Sequence, residues 1–268
     1  MESISSITTE ECTKIKGIFC DIDDTITNKG KLLNIAYNSL WKAAKKGLKI
    51  VPVTGRPAGW VDHIARMWPV NAVVGENGAF YFWMEKGKLQ KYFIQDRDTR
   101  YQNRKKLEII KNEILKKVPG ADTASDQNYR ESDLAIDFCE DVVPLASESI
   151  QKIVKIFHNH KANAKVSSIH VNGWFGNFDK VSTCSLLMKN LWNESNKSDY
   201  ENYIFCGDSP NDEPMFTKFP YCVGVANIKP WLSTMKAHPK YYTQKAGGEG
   251  FAEMIDIILK KRATDAQI

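Results

Sequence analysis

The segment Ile18-Phe19-Cys20-Asp21-Ile22-Asp23-Asp24-Thr25 runs an apolar stretch directly into carboxylates spaced two apart. In an extended segment, residues i and i+2 point to the same side, so Asp21 and Asp23 can face one pocket where the strand ends. One can attack a substrate or hold a metal; the other can move a proton. A helix cap or a tight turn is also rich in Asp, so the pair acquires meaning only with partners elsewhere in the chain. Thr54-Gly55-Arg56-Pro57 follows a second apolar run, Gly207-Asp208-Ser209-Pro210-Asn211-Asp212 follows a later one, and Lys180 opens a helical pattern. Together they supply a carboxylate nucleophile, a second carboxylate, a hydroxyl, a cation and a further acidic pair. That inventory suits phosphoryl transfer, where catalysis is mostly positioning and charge neutralisation. An all-oxygen donor set favours Mg²⁺ over zinc or copper, and three acids at strand ends are tolerable in a fold when a metal compensates them.

Such groups converge only if the strands that carry them lie side by side. Lys16–Cys20 reads as a strand; Tyr37, Leu40, Trp41 and Ala44 give helical spacing that Gly47 can close. Leu48–Val53 is a second strand, Trp60, Val61, Ile64 and Met67 a second helical stripe, and Ala72–Val74 a third strand. Strand and helix in alternation imply right-handed crossovers and a parallel sheet. From Glu76-Asn77-Gly78 the texture becomes a hairpin, Ala79–Met84 and Leu89–Ile94 around Gly87, followed by a basic helix near Arg97–Lys117. A polar loop from Pro119 to Tyr129, a strand Leu134–Phe138, a helix near Ala146–His158 and one strand near Lys165–Val171 complete this middle block. After Gly173 the first texture returns, with a helix from Lys180 to Trp192, the strands Tyr203–Cys206 and Tyr221–Val225, and a last helix after Gly250. The economical organisation is a doubly wound α/β core, residues 1–84 and 176–268, interrupted by a smaller α/β block at 85–175. In such open sheets, ligands bind beyond the carboxyl ends of the strands, where Asp21, Thr54 and Asp208 are placed.

Composition removes several alternatives. With 268 residues and 43% hydrophobic content the chain can bury a full core. No apolar run approaches the ~18–20 residues of a membrane span, and Met1-Glu2-Ser3-Ile4-Ser5-Ser6 lacks the basic and apolar regions of a secretory leader, so a cytoplasmic enzyme is expected. A net charge of +5 does not call for nucleic acid, and the basic residues between Arg97 and Lys117 are read as the solvated face of an amphipathic helix. Cys12, Cys20, Cys139, Cys184, Cys206 and Cys222 form no CxxC pair and read as reduced, mostly packing thiols.

Taken in order, DxDxT at Asp21–Thr25, Thr54 at the second strand end, Lys180, and GDxxxD at Gly207–Asp212 resemble the four motifs of the haloacid dehalogenase-like hydrolases. The inserted block resembles the C2-type cap. The strings VTGRP, GENGA and GDSPND are similar to the Cof-type and sugar-phosphatase branch. The resemblance implies that Asp21 takes the phosphoryl group as an aspartyl phosphate and that Asp23 protonates the leaving alkoxide and then activates water. It further implies Mg²⁺ held by Asp21, by the backbone carbonyl of Asp23 and by Asp208, with Asn211 or Asp212 as ligand or neighbour. Thr54 and Lys180 would bind the phosphoryl oxygens; Asn211 and Asp212 could instead orient Lys180.

Around this centre, Gly55, Arg56, Asn77 and Asn211 are candidate substrate contacts. Arg56 either forks onto a substrate oxygen or ties its loop to a helix, and Asn77 either contacts substrate or simply makes a turn. Asp24 is expected to bond local backbone, Thr25 to support the loop, and Asn227 to border the site. Arg130, Asp133, His170, Asn172 and Trp174 are the candidates in the inserted block, Trp174 offering a flat face to a sugar ring. The expected partner is a small phosphorylated metabolite, with neither nucleic acid nor membrane, acted on by a monomer or homodimer. The expected activity is Mg²⁺-dependent hydrolysis of a phosphate monoester such as a sugar phosphate. A phosphomutase of the same superfamily uses the same chemistry. A phospho-accepting receiver-like module shares the residue types but distributes them over different strands in a shorter, uninterrupted chain.

Overall fold

A computed structural model describes residues 1–167 and 169–265. The first half alternates as its periodicities predict: β1 (Gly17–Cys20), α1 (Asn34–Lys45), β2 (Lys49–Pro52), α2 (Ala58–Met67) and β3 (Val73–Gly75). There follow the hairpin β4 (Phe80–Glu85) and β5 (Lys88–Phe93), then α3 (Arg97–Lys117), β6 (Asp133–Asp137), α4 (Ser147–Asn159), β7 (Asn163–Val166) and β8 (His170–Trp174). The chain returns through α5 (Lys180–Trp192), β9 (Tyr203–Gly207), β10 (Tyr221–Gly224) and α6 (Gly247–Asp265).

The central sheet is parallel throughout, in the order Glu2–Ser3, Tyr241–Tyr242, β10, β9, β1, β2. Helices cover both faces, which is why β1 is apolar at every position. Ile18 and Cys20 pack with α1 and α6, while Phe19 between them packs with α5. The chain leaves β1 toward β2 on one side and comes back to β9 on the other, so strand order reverses at β1. That reversal opens a crevice at its carboxyl end, immediately before Asp21. All six cysteines are free, and burial pushes the thiols of Cys20 and Cys206 well above their usual range. Among the described residues no helix is long and apolar enough to cross a membrane.

The inserted block is an antiparallel sheet, β7-β8-β6 and the short edge strand Asp122–Thr123, with α3 and α4 on one face. Leu134 and Ile136 of β6 and Val171 of β8 meet Leu107, Ile110 and Ile114 of α3 and Ile153 and Phe157 of α4. Gly173 is required there, because a Cβ would collide with the Phe157 ring. By the two-residue alternation of strands, Asp133 on β6 and His170 and Asn172 on β8 take the opposite face.

Two expectations change. The single strand near 165–171 is a hairpin: Ser167 turns the chain, its hydroxyl accepting from the N–H groups of Ile169 and His170, and splits β7 from β8. The polar loop 119–129 also supplies the edge strand at Asp122–Thr123. The hairpin β4–β5 extends β3 into a three-stranded sheet, and Leu89, Phe93 and Ile94 pack on the core cluster. A boundary at 85 would therefore cut a paired hairpin; just past β5, Gln95 donates to the carbonyl of Phe175, the residue after β8.

Candidate functional site

At the carboxyl ends of β1 and β9, Asp21, Asp208 and Asp212 bring carboxylate oxygens within 4.8 Å of one another, all buried. Lys180 enters the cluster because it is the first residue of α5, whose N-terminus is capped by the Asp179 carboxylate. Its Nζ donates to Oδ1 of Asp21 at 2.6 Å and to Oδ1 of Asp212 at 3.1 Å. The second Asp212 oxygen accepts the N–H of Asp208 at 3.1 Å. Asp212 is thus engaged on both oxygens and orients Lys180 directly, whereas Asn211 does not contact the lysine; it lines the cavity beside Asp21 and Asp23.

Asp208 is held from both sides. The Thr25 hydroxyl donates to Oδ1 at 2.9 Å, and the Asn227 amide donates to Oδ2 at 3.1 Å and to the Asp24 carbonyl at 2.9 Å. Asn227 in turn accepts from the N–H of Gly247 at 2.9 Å. Both residues do more than border or support the site: they aim one of its carboxylates. Asp24 behaves as expected, its carboxylate accepting the N–H of Lys29.

Electrostatics mark the cluster as short of positive charge. Burial pushes the Asp21 carboxyl up to about 7, with Asp212 and Asp23 adding to the shift and Lys180 opposing it. Burial, then Asp212 and Asp21, also raise Asp208 well above the carboxylate range. Burial disfavours the Lys180 ammonium, but Asp21 and Asp212 outweigh it and raise its pKa. One cation among three buried acids leaves an excess of negative charge in an all-oxygen pocket. A hard divalent cation fits that donor set and that deficit.

Asp23 stands beside the cluster and is partly exposed. The Arg56 guanidinium forks onto it, with Nε at 3.0 Å and one terminal nitrogen at 2.8 Å from Oδ1. Arg56 also lies over the Trp60 ring at 4.5 Å and reaches Glu140 of the inserted block at 3.4 Å. Besides touching that helix through Trp60, it positions a carboxylate and links core to insertion. The Thr54 hydroxyl accepts the N–H of Arg56 at 3.0 Å, which fixes the loop and leaves its own proton free to donate.

A small cavity of about 40 Å³ lies between these strand ends and the inserted block, with Asp21, Asp23, Gly55, Arg56 and Asn77 on the core side. Arg130, His170 and Asn172 close it from the insertion. The side-chain N–H₂ of Asn77 is buried without a partner, a donor waiting for an acceptor. Arg130 is neutralised by Asp126 at 2.9 Å and Asp133 at 3.0 Å and also donates to the Gly55 carbonyl at 3.0 Å. Asp133 sits behind it, accepting from Asn172 at 3.1 Å. Burial, aided by Arg130, lowers the pKa of His170 to about 4, and its Nε2 has no aligned partner although Glu140 approaches to 2.9 Å. Trp174 is not at the cavity: its ring stacks on Phe178 at 5.9 Å within the core cluster. It serves the joint between block and core instead of a sugar face.

A doubly wound α/β sheet with an acid-rich site at its reversal point, covered by an inserted α/β block, defines a class of enzymes. Sequence comparison specifies the family: the model of the haloacid dehalogenase-like hydrolases matches residues 18–98 and 80–255, and the chain belongs to that family. A phosphoglycolate phosphatase of Methanobrevibacter smithii is 27% identical over 244 residues, 90% of this chain and 97% of the relative. Among solved structures, a Thermoplasma acidophilum protein superposes with a TM-score of 0.69 at 20% identity, covering 91% of this chain and 98% of its own. The sucrose-phosphatase of Synechocystis, solved with sucrose and phosphate, gives 0.63 at 14% identity over 91% and 98%. At such identities these two share the fold.

Proposed function

We propose that this protein is a Mg²⁺-dependent phosphatase that hydrolyses a small phosphate monoester through a phosphorylated Asp21. The observation that carries the reading is the approach of Lys180 Nζ to Asp21 within a buried triad of carboxylates, with Asp23 adjacent, partly exposed and held by Arg56. Asp21 would attack phosphorus, and the departing alkoxide would take a proton from Asp23. Water would then lose a proton to Asp23 and attack the same phosphorus, returning the Asp21 carboxylate. Lys180 and the Thr54 hydroxyl would hold the phosphoryl oxygens. Asp21, Asp208 and the backbone carbonyl of Asp23 would hold Mg²⁺, which supplies charge neutralisation when bound. Core residues 1–94 and 176–268 would provide this chemistry, and a cap at 95–175 would close over the ester.

The named relatives support a small phosphorylated substrate, since one is a phosphoglycolate phosphatase and another was solved with sucrose and phosphate. Sugar phosphates are the first esters to test, because Asn77, Asn172 and His170 offer uncharged hydrogen-bonding groups around the cavity. Phosphate release from a panel of sugar phosphates, phosphoglycolate and p-nitrophenyl phosphate should occur with Mg²⁺ and stop with EDTA. Turnover that persists in EDTA would overturn the reading, and an isomerised sugar phosphate without free phosphate would make the enzyme a mutase.

The pair that aims Asp208 gives a second expectation. Asn227→Ala and Thr25→Val should each raise the Mg²⁺ concentration giving half-maximal rate by about tenfold, the ordinary effect of losing a partner behind a metal ligand. A Mg²⁺ titration of initial rates checks this, and unchanged half-saturation in both variants would remove Asp208 from the metal site.

A further inference from the structure

Glu76 is a fully buried acid that the chemistry above does not use. Its carboxylate accepts four backbone N–H groups. Oε1 takes those of Ala58 at 3.0 Å and Glu131 at 2.8 Å; Oε2 takes those of Ser132 at 2.6 Å and Asp133 at 3.2 Å. Ala58 begins α2, directly after the Thr54–Pro57 loop, whereas 131–133 lead into β6 of the inserted block. Among the described residues no Lys, Arg or His nitrogen pairs with Glu76 within 4.0 Å, so its direct partners are backbone donors from two parts of the molecule, with the Arg130 charge acting from further off.

The backbone around it is also unusual. Glu76, Asn77 and Gly78 have φ of +43°, +56° and +108°, a left-handed run that two non-glycine residues rarely adopt. That run touches both the Thr54–Arg56 loop and the start of α5. The N–H groups of Glu76 and Asn77 donate to the carbonyls of Arg56 and Thr54 at 3.1 Å each. The Thr183 hydroxyl of α5 donates to the Gly78 carbonyl at 2.6 Å, and a Cβ on Gly78 would collide with the Asp179 carbonyl at the start of that helix. Burial, and Asp133 nearby, push the Glu76 carboxyl up to about 8, while the Arg130 charge and then the N–H groups pull it down. Four donors and no acceptor face it, an arrangement that suits the ionised form.

We propose that Glu76 is a positioning residue whose carboxylate clamps the inserted block onto the catalytic strand ends, fixing Arg130 and the Thr54–Arg56 loop in one relative placement. The kinetic part rests on the phosphatase reading; the clamp itself does not. Glu76→Gln keeps the length but leaves one acceptor oxygen and turns an N–H₂ toward the donors. Amide hydrogen exchange on the full chain should then accelerate by about 10- to 100-fold at Ala58, Glu131, Ser132 and Asp133, with Phe205 and Val223 of the core sheet unchanged. With Mg²⁺ and p-nitrophenyl phosphate, kcat should fall by about tenfold or more, and Glu76→Asp, charged but shorter, should not restore it. Exchange at the four amides equal to wild type, or acceleration spread evenly over β9 and β10, would overturn the clamp. If Glu76→Gln does not fold, the same exchange pattern is required of Glu76→Asp. If the wild-type protein hydrolyses no ester, the exchange result still decides the clamp by itself.

Discussion

Asp21→Asn is expected to abolish turnover and, in metal-free protein at neutral pH, to raise the melting temperature. The two effects have one cause. Three buried carboxylates share a single ammonium, so the charged cluster is held together at a cost the fold bears for function. Asn keeps the shape and can still accept from Lys180, but removes one negative charge. The pH dependence carries the sign. The folded Asp21 pKa, about 7, lies above its usual 3.8, so the protonated form is favoured in the folded state. That contribution is fully present below pH 4 and is lost as pH rises through 7, so metal-free wild type should weaken across this window by an amount on the order of 4 kcal/mol. Asp21→Asn should lack that slope, and Mg²⁺ should erase the difference at pH 7.5 by restoring the wild type. Thermal melts of both proteins from pH 4.5 to 8, with and without Mg²⁺, check it. A variant less stable than wild type at pH 7.5 without metal would mean that the cluster is not short of positive charge.

Lys180→Met is expected to have the largest destabilising effect of any single site substitution. The methionine preserves much of the apolar stem but leaves Asp21 and Asp212 facing each other without a cation. Removing one partner of a buried ion pair typically destabilises by about 3–5 kcal/mol, because the other charge stays buried and uncompensated. Denaturant unfolding at pH 7.5 should show that loss, partly recovered in excess Mg²⁺ as the metal takes over compensation. Activity should fall by about 10³-fold even where the protein is folded, since the ammonium would hold the phosphoryl oxygens. A Lys180→Met protein as stable as wild type would show that Asp21 and Asp212 carry no net charge between them.

Much of this arrangement was legible in the sequence because it follows from short-range rules. A strand ending in acids places them at its carboxyl edge, a parallel sheet brings several such edges together, and a lysine opening a helix points into the crevice. What escaped depends on partners distant in the chain. Asn227 can be placed beside the site from sequence, but its hold on Asp208 and Asp24 from the loop after β10 has no local pattern to mark it. Glu76 looks like part of a turn, and only the fold brings residues 131–133 to its carboxylate. Sequence offers Arg56 a substrate oxygen or a helix as partner, because it cannot reveal that Asp23 lies within reach. Trp174 shares a strand face with His170 and Asn172, as alternation requires, but sits far enough along β8 to join Phe178 in the core. The turn at Ser167 makes two strands, β7 and β8, where the sequence reads as one.

The central claim is that Asp21 carries the phosphoryl group. Rapid acid quench during turnover of a phosphate ester with Mg²⁺, followed by peptide mapping, tests it most directly. The account predicts a hydroxylamine-labile phosphoryl group on the peptide containing Asp21, formed and lost at the rate of turnover and absent in Asp21→Asn. Turnover with no protein-bound phosphate at any time, or phosphate on another residue, would contradict it.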